Sequence, residues 1–118
     1  DISEELLGIA RRNVQIVDPA RKCVNIEVRN ADVTTVDLPD TDLLLHFYHP
    51  FDTEVTAIVL RKLEQSRAAN PRRVVIAYLL YSGAVADVRA MFAQFPWLRE
   101  ARYEASLFGH YDWLFYST

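Results

Sequence analysis

Two short apolar runs constrain the fold of this chain more than any other feature. Leu43–Tyr48 is a nearly continuous apolar segment bounded by Asp42 and Pro50, and Val74–Leu80 is a second segment of the same kind. Runs of this length without polar alternation are typical of strands that are buried on both faces, as in parallel sheets covered by helices. Both runs are far below the roughly 20 residues that a helix needs to span a bilayer.

Helical patterns precede and separate these runs. A first helix begins after Ser3, a favoured N-cap residue, and Asp18-Pro19 ends or bends it. A second helix begins at Asp52 or Thr53 and ends at Asn70-Pro71, and a third ends at Pro96. The apolar residues that predict a buried stripe on the first helix are Leu6, Ala10, Val14 and Val17.

Three further strands follow from alternation. A strand is predicted at Val24–Val28, and residues Arg102–Thr118 predict two strands that reverse at Gly109-His110. The order helix, strand, helix, strand, helix, strand, strand predicts an α/β domain, 1–118, with a mostly parallel sheet flanked by helices and a C-terminal antiparallel hairpin. The chain opens on a helix, so the N-terminal strands of such a sheet are expected to be missing.

The composition excludes several classes of protein. A chain of 118 residues, 51% hydrophobic, fits one domain and is too apolar for a disordered segment. Its three glycines cannot form a phosphate-cradling loop of the G-x-G-x-x-G or G-x-x-x-x-G-K-[ST] type. The net charge of −3 gives no global electrostatic case for nucleic-acid binding. A single cysteine, Cys23, excludes an internal disulfide and suits the reducing cytoplasm.

The candidate ligand-binding residues are those that follow strands, because ligands of open parallel sheets bind outside the carboxyl ends of the strands. Asp32 follows the first predicted strand, His49-Pro50-Phe51 the second, and Tyr81 the third, where it is a candidate substrate contact. Asp1 lies before the first helix, at the end of the missing strand. Carboxylates at Asp1 and Asp32 could accept hydrogen bonds from ribose hydroxyls and from an exocyclic amine, although a lone aspartate is most often a turn former or a helix cap.

These segments together resemble class I S-adenosylmethionine-dependent methyltransferases over nearly the whole chain. The segment from Asp1-Ile2 to Asn13 is similar to the region after their second strand, and Asn30-Ala31-Asp32-Val33 to the turn after their third strand. Asp42 to Phe51 is similar to their fourth strand and its Asn-Pro-Pro-Phe-like exit. The closing hairpin resembles their final antiparallel pair. The resemblance implies a Rossmann-like fold and, as cofactor, S-adenosylmethionine.

The resemblance also implies roles for individual residues. Asp1 and Ile2 would lie against the ribose, and Asp32 and Val33 against the adenine. The segment from His49 through Pro50 to Phe51 would line the floor between methyl donor and acceptor. Methyl transfer is an in-line attack on a sulfonium methyl group, so positioning does most of the work and no metal is required.

Two departures from the family pattern limit what can be inferred. The glycine-rich loop that receives the methionine moiety is not in this chain, so we expect a part of a longer protein that is inactive alone. The amino-methylating branch has Asn or Asp where this chain has His49, and histidine accepts a hydrogen bond from an amine only in its neutral form. Methylation of adenine N6 or of a glutamine amide is therefore unsupported, and the acceptor is unidentified.

Other functions stay open on the sequence alone. A nicotinamide-dependent dehydrogenase also uses an acid after its second strand, and a catalytically silent relative could act as an interaction module. His46 and His49 have H-x-x-H spacing, but residues three apart on a strand point to opposite faces, which argues against a shared metal ion. Missing neighbours would leave strand edges unpaired at about 1–3 kcal/mol per buried backbone group, so we expect the isolated chain to aggregate or to fold only in part.

Overall fold

The computed structural model describes residues 3–16, 25–49, 51–106 and 109–118. The chain divides into two compact units, Asp1–Asp37 and Leu38–Thr118. Among the described residues, no helix combines the length and the apolar character that crossing a membrane would require.

The first unit contains one helix, α1, Glu4–Ile16. Ser3 begins it as predicted, because its carbonyl oxygen accepts from the N–H of Leu7 at 2.9 Å and its Oγ from the N–H of Leu6 at 3.4 Å. Ala10 and Val14 of the predicted apolar stripe are half-buried, but Leu6 is 54% exposed, and its neighbour Leu7 is buried instead. Val17 of that stripe lies outside the described residues.

The strand predicted at Val24–Val28 is not formed in the described part of this segment. Residues 25–32 have no regular secondary structure, and Ile26 is 44% exposed. Glu27 and Arg29 form an ion pair at 2.6 Å, two residues apart in sequence. Apolar alternation produces a strand only where a neighbouring strand pairs with the backbone, and residues 25–28 belong to no sheet in the described part of the chain.

The second unit is built on a mixed four-stranded sheet. Its strands are β1, Leu43–Tyr48; β2, Val74–Tyr81; β3, Arg99–Glu104; and β4, Tyr111–Ser117. Their order in the sheet is β1-β2-β4-β3. β1 and β2 are parallel, with Leu43 opposite Val74 and Tyr48 opposite Leu79. β4 is antiparallel to both of its neighbours.

The predicted mostly parallel, Rossmann-like sheet is therefore wrong: the unit is a small α/β domain with one parallel pair. The physical reason lies in the C-terminal hairpin. β4 reverses after β3, with Gly109 in the left-handed region at φ 71°, and then inserts between β2 and β3. Because β4 lies between β2 and β3, two of the three strand pairings are antiparallel. The strand expected before β1, at Val24–Val28, adds no parallel pairing in the described residues.

The helices of this unit pack on one face of the sheet, here called the inner face. α2, Thr53–Ala69, joins β1 to β2, and α3, Val85–Phe92, follows a short 3-10 turn after β2. The ring of Phe92 stacks on Tyr116 of β4 with centroids 3.8 Å apart and meets Tyr78 of β2 edge-on at 6.0 Å. The buried residues of the strands on this face are Phe47, Val74, Ile76, Tyr78, Leu80, Asp112, Leu114 and Tyr116.

The opposite face of the sheet, the outer face, carries no helix of this unit. Leu44 is 68% exposed, Tyr48 58% and Tyr81 51%. The composition of the two apolar runs predicts burial on both faces, and this prediction is wrong: the outer face is partly exposed. Periodicity cannot reveal this difference, because the outer positions of both strands are apolar or aromatic apart from His46.

The β1 edge gives a first testable prediction. Within the described residues β1 pairs only with β2, and none of its six residues is charged, so its free edge can pair with another chain. Leu44→Lys should slow aggregation of the 118-residue chain, measured by light scattering, with little loss of stability at this exposed position. Ile58→Lys, on the exposed side of α2, is the matched control. Equal slowing by both variants would mean that replacing any exposed apolar side chain with a lysine, rather than blocking the edge, controls aggregation.

Asp112 gives a second prediction, on pH dependence. It is 4% exposed, and its carboxylate accepts from the N–H of Ser106 at 3.0 Å and from the hydroxyl of Tyr103 at 2.9 Å. These bonds, the Ser106 bond foremost, lower the pKa of Asp112 below its usual 3.8. A depressed folded-state pKa contributes stability above the unfolded-state value, and this stability is lost as the pH falls through the folded-state value.

The free energy of unfolding should accordingly fall below about pH 4, and Asp112→Asn should flatten that part of the curve. Urea unfolding between pH 2.5 and 7 measures this. Asp40→Asn removes an exposed carboxylate of the same unit and should leave the acid limb unchanged. An identical acid limb in wild type and Asp112→Asn would contradict the assignment.

Candidate functional site

The parallel pairing of β1 with β2 brings three tyrosines together at the carboxyl edge of the sheet. Tyr48 ends β1, Tyr81 ends β2, and Tyr111 begins the antiparallel β4 directly opposite Tyr81. The Tyr111 ring lies 4.6 Å from that of Tyr81 and 5.8 Å from that of Tyr48, between ring centroids. All three lie on the outer face. We call them the tyrosine cluster.

Tyr111, at the centre of the tyrosine cluster, does not supply a base at neutral pH. The hydroxyl of Tyr81, and after it that of Tyr48, raises the pKa of Tyr111 well above its usual value of 10, because both hydrogen bonds favour the protonated phenol. The Tyr111 ring also contacts the rings of both other tyrosines. The tyrosine cluster is therefore a packed group of aromatic side chains at the carboxyl edge of the sheet.

His49 follows β1 in an unusual backbone conformation. Its φ is 36°, in the left-handed region that disfavours side chains with a Cβ. Two contacts hold it there: its N–H donates to the carbonyl of Leu79 at 2.8 Å, and its ring meets Tyr81 edge-on with centroids 5.2 Å apart. Such conformations persist where the surroundings enforce them, and they are concentrated at functional sites.

On the inner side of the same edge lies a cleft of about 720 Å³ between the amino-terminal part of α2 and the length of α3, here called the α2–α3 cleft. A cleft of this volume is in the range of small-molecule sites. Its floor is apolar and its rim is charged. The floor includes Phe51, Ala57, Tyr78, Val88 and Met91. The rim includes His49, Asp52, Glu54, Arg61, Asp87 and Gln94.

Local hydrogen bonding fixes the α2 side of the cleft. Asp52 is the N-cap of α2, and its Oδ1 accepts from the N–H of Val55 at 2.8 Å. The hydroxyl of Thr56 donates to the carbonyl of Asp52 at 2.9 Å. The Tyr78 hydroxyl, hydrogen-bonded to Thr56, has its pKa raised, first of all by burial, so it presents a neutral group to the cleft.

The sequence-predicted site residues are divided between the two units. Asp32 and Val33 lie in the first unit, whereas His49, Phe51 and Tyr81 lie in the second. His49 and Phe51 line the α2–α3 cleft, and Tyr81 contacts His49 from the outer face. Three predicted site residues, Asp1, Ile2 and Pro50, lie outside the described residues. Cys23 also lies outside them.

Asp32 forms a tight turn, the commoner role of a lone aspartate. Its Oδ1 accepts from the N–H of Thr34 at 2.8 Å and from the hydroxyl of Thr34 at 2.7 Å, and its carbonyl accepts from the N–H of Thr35 at 3.0 Å. The Thr34 hydroxyl, followed by the Thr34 N–H, lowers the pKa of Asp32. Asp32 is therefore an ionised, exposed carboxylate held in a defined orientation.

Sequence reasoning missed several residues of this edge. Tyr48 and Tyr111 come together only through strand register, and Arg61 and Asp87 only through the packing of α2 beside α3. One signal was present: Asp52 and Glu54 are acids at a predicted helix start. Acids at a helix start usually cap the helix or interact with its dipole, and this local pattern does not indicate that they line one cleft with Asp87.

Comparisons of this chain with protein-family models, with curated proteins and with solved structures give no match. Within the described ranges, no three His, Cys, Asp or Glu side chains are grouped so that they could hold a metal ion. His46, the other member of the H-x-x-H pair, lies on the outer face with its ring 5.6 Å from that of Trp113.

The His49 backbone gives a third prediction. Glycine adopts the left-handed region without steric cost, so His49→Gly should be more stable than His49→Ala, by about 1 kcal/mol. Both variants lack the imidazole, and the pair therefore isolates the backbone contribution. Urea unfolding of the two variants measures it. An alanine variant at least as stable as the glycine variant would contradict the left-handed conformation.

Proposed function

We propose that this chain is part of an S-adenosylmethionine-dependent methyltransferase and that it works within a longer protein. The observation that carries the proposal is the α2–α3 cleft, because His49 and Phe51, in the segment that resembles the exit of the family's fourth strand, line it. The cleft also opens at the carboxyl end of parallel strands, where ligands of α/β sheets bind. A cytoplasmic location belongs to the same proposal and rests on the single cysteine.

The chemistry of Asp32 and Val33 fits the adenine of S-adenosylmethionine. Both hydrogen bonds from Thr34 end on Oδ1 of Asp32, so Oδ2 is the atom that would accept from the exocyclic amine. The N–H of Val33, next in the chain, would donate to a ring nitrogen, and the two groups together match the donor and acceptor edge of adenine. Asp1 and Ile2 would lie against the ribose.

The residues of the cleft would position the acceptor. S-adenosylmethionine, when bound, supplies a methyl group on a sulfonium sulfur. Phe51 and Tyr78 offer apolar surface that excludes water, and His49 in its neutral form offers an acceptor for a proton. Holding two reactants in line accounts for most of the acceleration of such a transfer.

A catalytically silent interaction module is the second candidate function, and the outer face of the sheet favours it. Leu44, Tyr48 and Tyr81 are each more than half exposed on a face without a helix of the second unit. Exposed apolar surface of this kind commonly marks contact sites for other proteins. This function and methyl transfer differ in one measurable property, the binding of a nucleoside cofactor.

A fourth prediction tests the proposed function. The full-length protein that contains these residues should bind S-adenosylhomocysteine in a calorimetric titration. Asp32→Asn keeps an oxygen for Thr34 but lacks a second acceptor, and should weaken binding about tenfold, as the loss of a hydrogen bond to a charged group does. Asp32→Ala should weaken it at least as much. Asp37→Asn, an exposed aspartate of the same unit, is the control.

The possible results separate the candidates. Tight binding that neither Asp32 variant changes would refute the adenine assignment. Absence of any S-adenosylhomocysteine binding would overturn the methyltransferase proposal and favour the interaction module. A parallel titration with a nicotinamide cofactor tests the dehydrogenase alternative, for which binding of that cofactor alone would be decisive.

A further inference from the structure

The rim of the α2–α3 cleft is unequally charged. Asp52, Glu54 and Asp87 are carboxylates, and Arg61 is the one guanidinium among the described lining residues, which leaves a net charge of −2. The described ion pairs of the chain all lie elsewhere, so Arg61 does not neutralise any of the three carboxylates directly. The rim therefore favours a positively charged group over a negatively charged one.

The helix dipoles do not reverse this preference. The amino end of α2 lies at the cleft and contributes about half a positive charge, whereas α3 lines the cleft at both of its ends, so its dipole adds little net charge there. The α2 end therefore offsets only about half a unit of the net charge of −2. The α2 end is further satisfied from within the chain, since the Asp52 carboxylate accepts from the N–H of Val55. The electrostatic balance of the cleft stays negative.

The floor of the cleft determines the kind of molecule that can carry the positive charge. Phe51, Tyr78, Val88 and Met91 provide aromatic and aliphatic surface. A ligand that fits both parts carries a cationic group toward the rim and an apolar body toward the floor. Aromatic rings attract cations as well, which adds to the same preference.

We propose that the α2–α3 cleft binds a small molecule that carries a protonated amine on an apolar body. Its assignment as the methyl acceptor rests on the proposed function, whereas the binding of the amine does not. A protonated amine has no free electron pair, so a base must first remove a proton, and the imidazole of His49, a side chain that can accept a proton, lines the same cleft. The amine nitrogen then bonds to the methyl carbon, and the carbon–sulfur bond breaks with its electron pair remaining on sulfur.

Three probes with one aromatic body test the charge preference: 2-phenylethylamine, 2-phenylethanol and phenylacetate. Each is titrated calorimetrically into the full-length protein at pH 7 and low salt, without cofactor. The amine should bind most tightly and phenylacetate most weakly. Binding of phenylacetate at least as tight as that of the amine, or no binding of any probe, would overturn the proposal.

Charge variants locate the binding to the cleft. Asp87→Asn should weaken amine binding about two- to fivefold, as expected for an exposed charge pair, and Glu54→Gln should act in the same direction. Arg61→Gln should strengthen amine binding and weaken phenylacetate binding. Asp40→Asn, outside the cleft, is the control. Unchanged amine affinity in all three cleft variants would overturn the assignment, and urea unfolding of each variant verifies that it is folded.

The same preparation is titrated with S-adenosylhomocysteine to keep the two proposals apart. Amine binding without cofactor binding leaves the amine site standing and overturns the methyltransferase. Cofactor binding without amine binding does the reverse, and it would require another acceptor class for the cleft.

Discussion

The parallel pairing of β1 with β2 is the interaction on which the rest of the second unit depends. Parallel strands need a crossover connection, and α2 provides it, with Leu60 and Leu63 fully buried against the unit. The same pairing aligns the carboxyl ends of the two strands. It thereby places His49 beside Tyr81, and it sets the N-cap Asp52 at the mouth of the cleft.

β4 completes this arrangement by inserting beside β2. Its pairing with β2 places Tyr111 opposite Tyr81 and brings Tyr116 under Phe92 of α3. One strand therefore serves both faces of the sheet: its even-numbered residues join the buried core, and its odd-numbered ones lie on the half-exposed outer face. Because this core holds α3 on the inner face, Asp87 lines the same cleft as the start of α2.

Elements with strong local signals were predictable, and those that depend on a partner were not. β1, α2 and β2 were expected close to their observed bounds, since capping by Asp52 and the end at Asn70 are local interactions. The strand at Val24–Val28 failed because alternation says nothing about whether a neighbour exists. The site followed the same division: the sequence indicated His49 and Phe51 from their place after a strand, but not Asp87 or Arg61, which belong to other turns of helix.

The sequence by itself determined where this chain turns helical or extended, because propensity, capping and apolar spacing act over a few residues. It also determined that acidic residues lie at the starts of the helices. Only the tertiary structure decided that β4 lies between β2 and β3, that the outer face carries no helix of the second unit, and that three carboxylates surround one cleft. These outcomes depend on contacts between residues that are far apart in sequence. Different elements compete for the same surface, and the packing of the whole unit decides which of them occupies it.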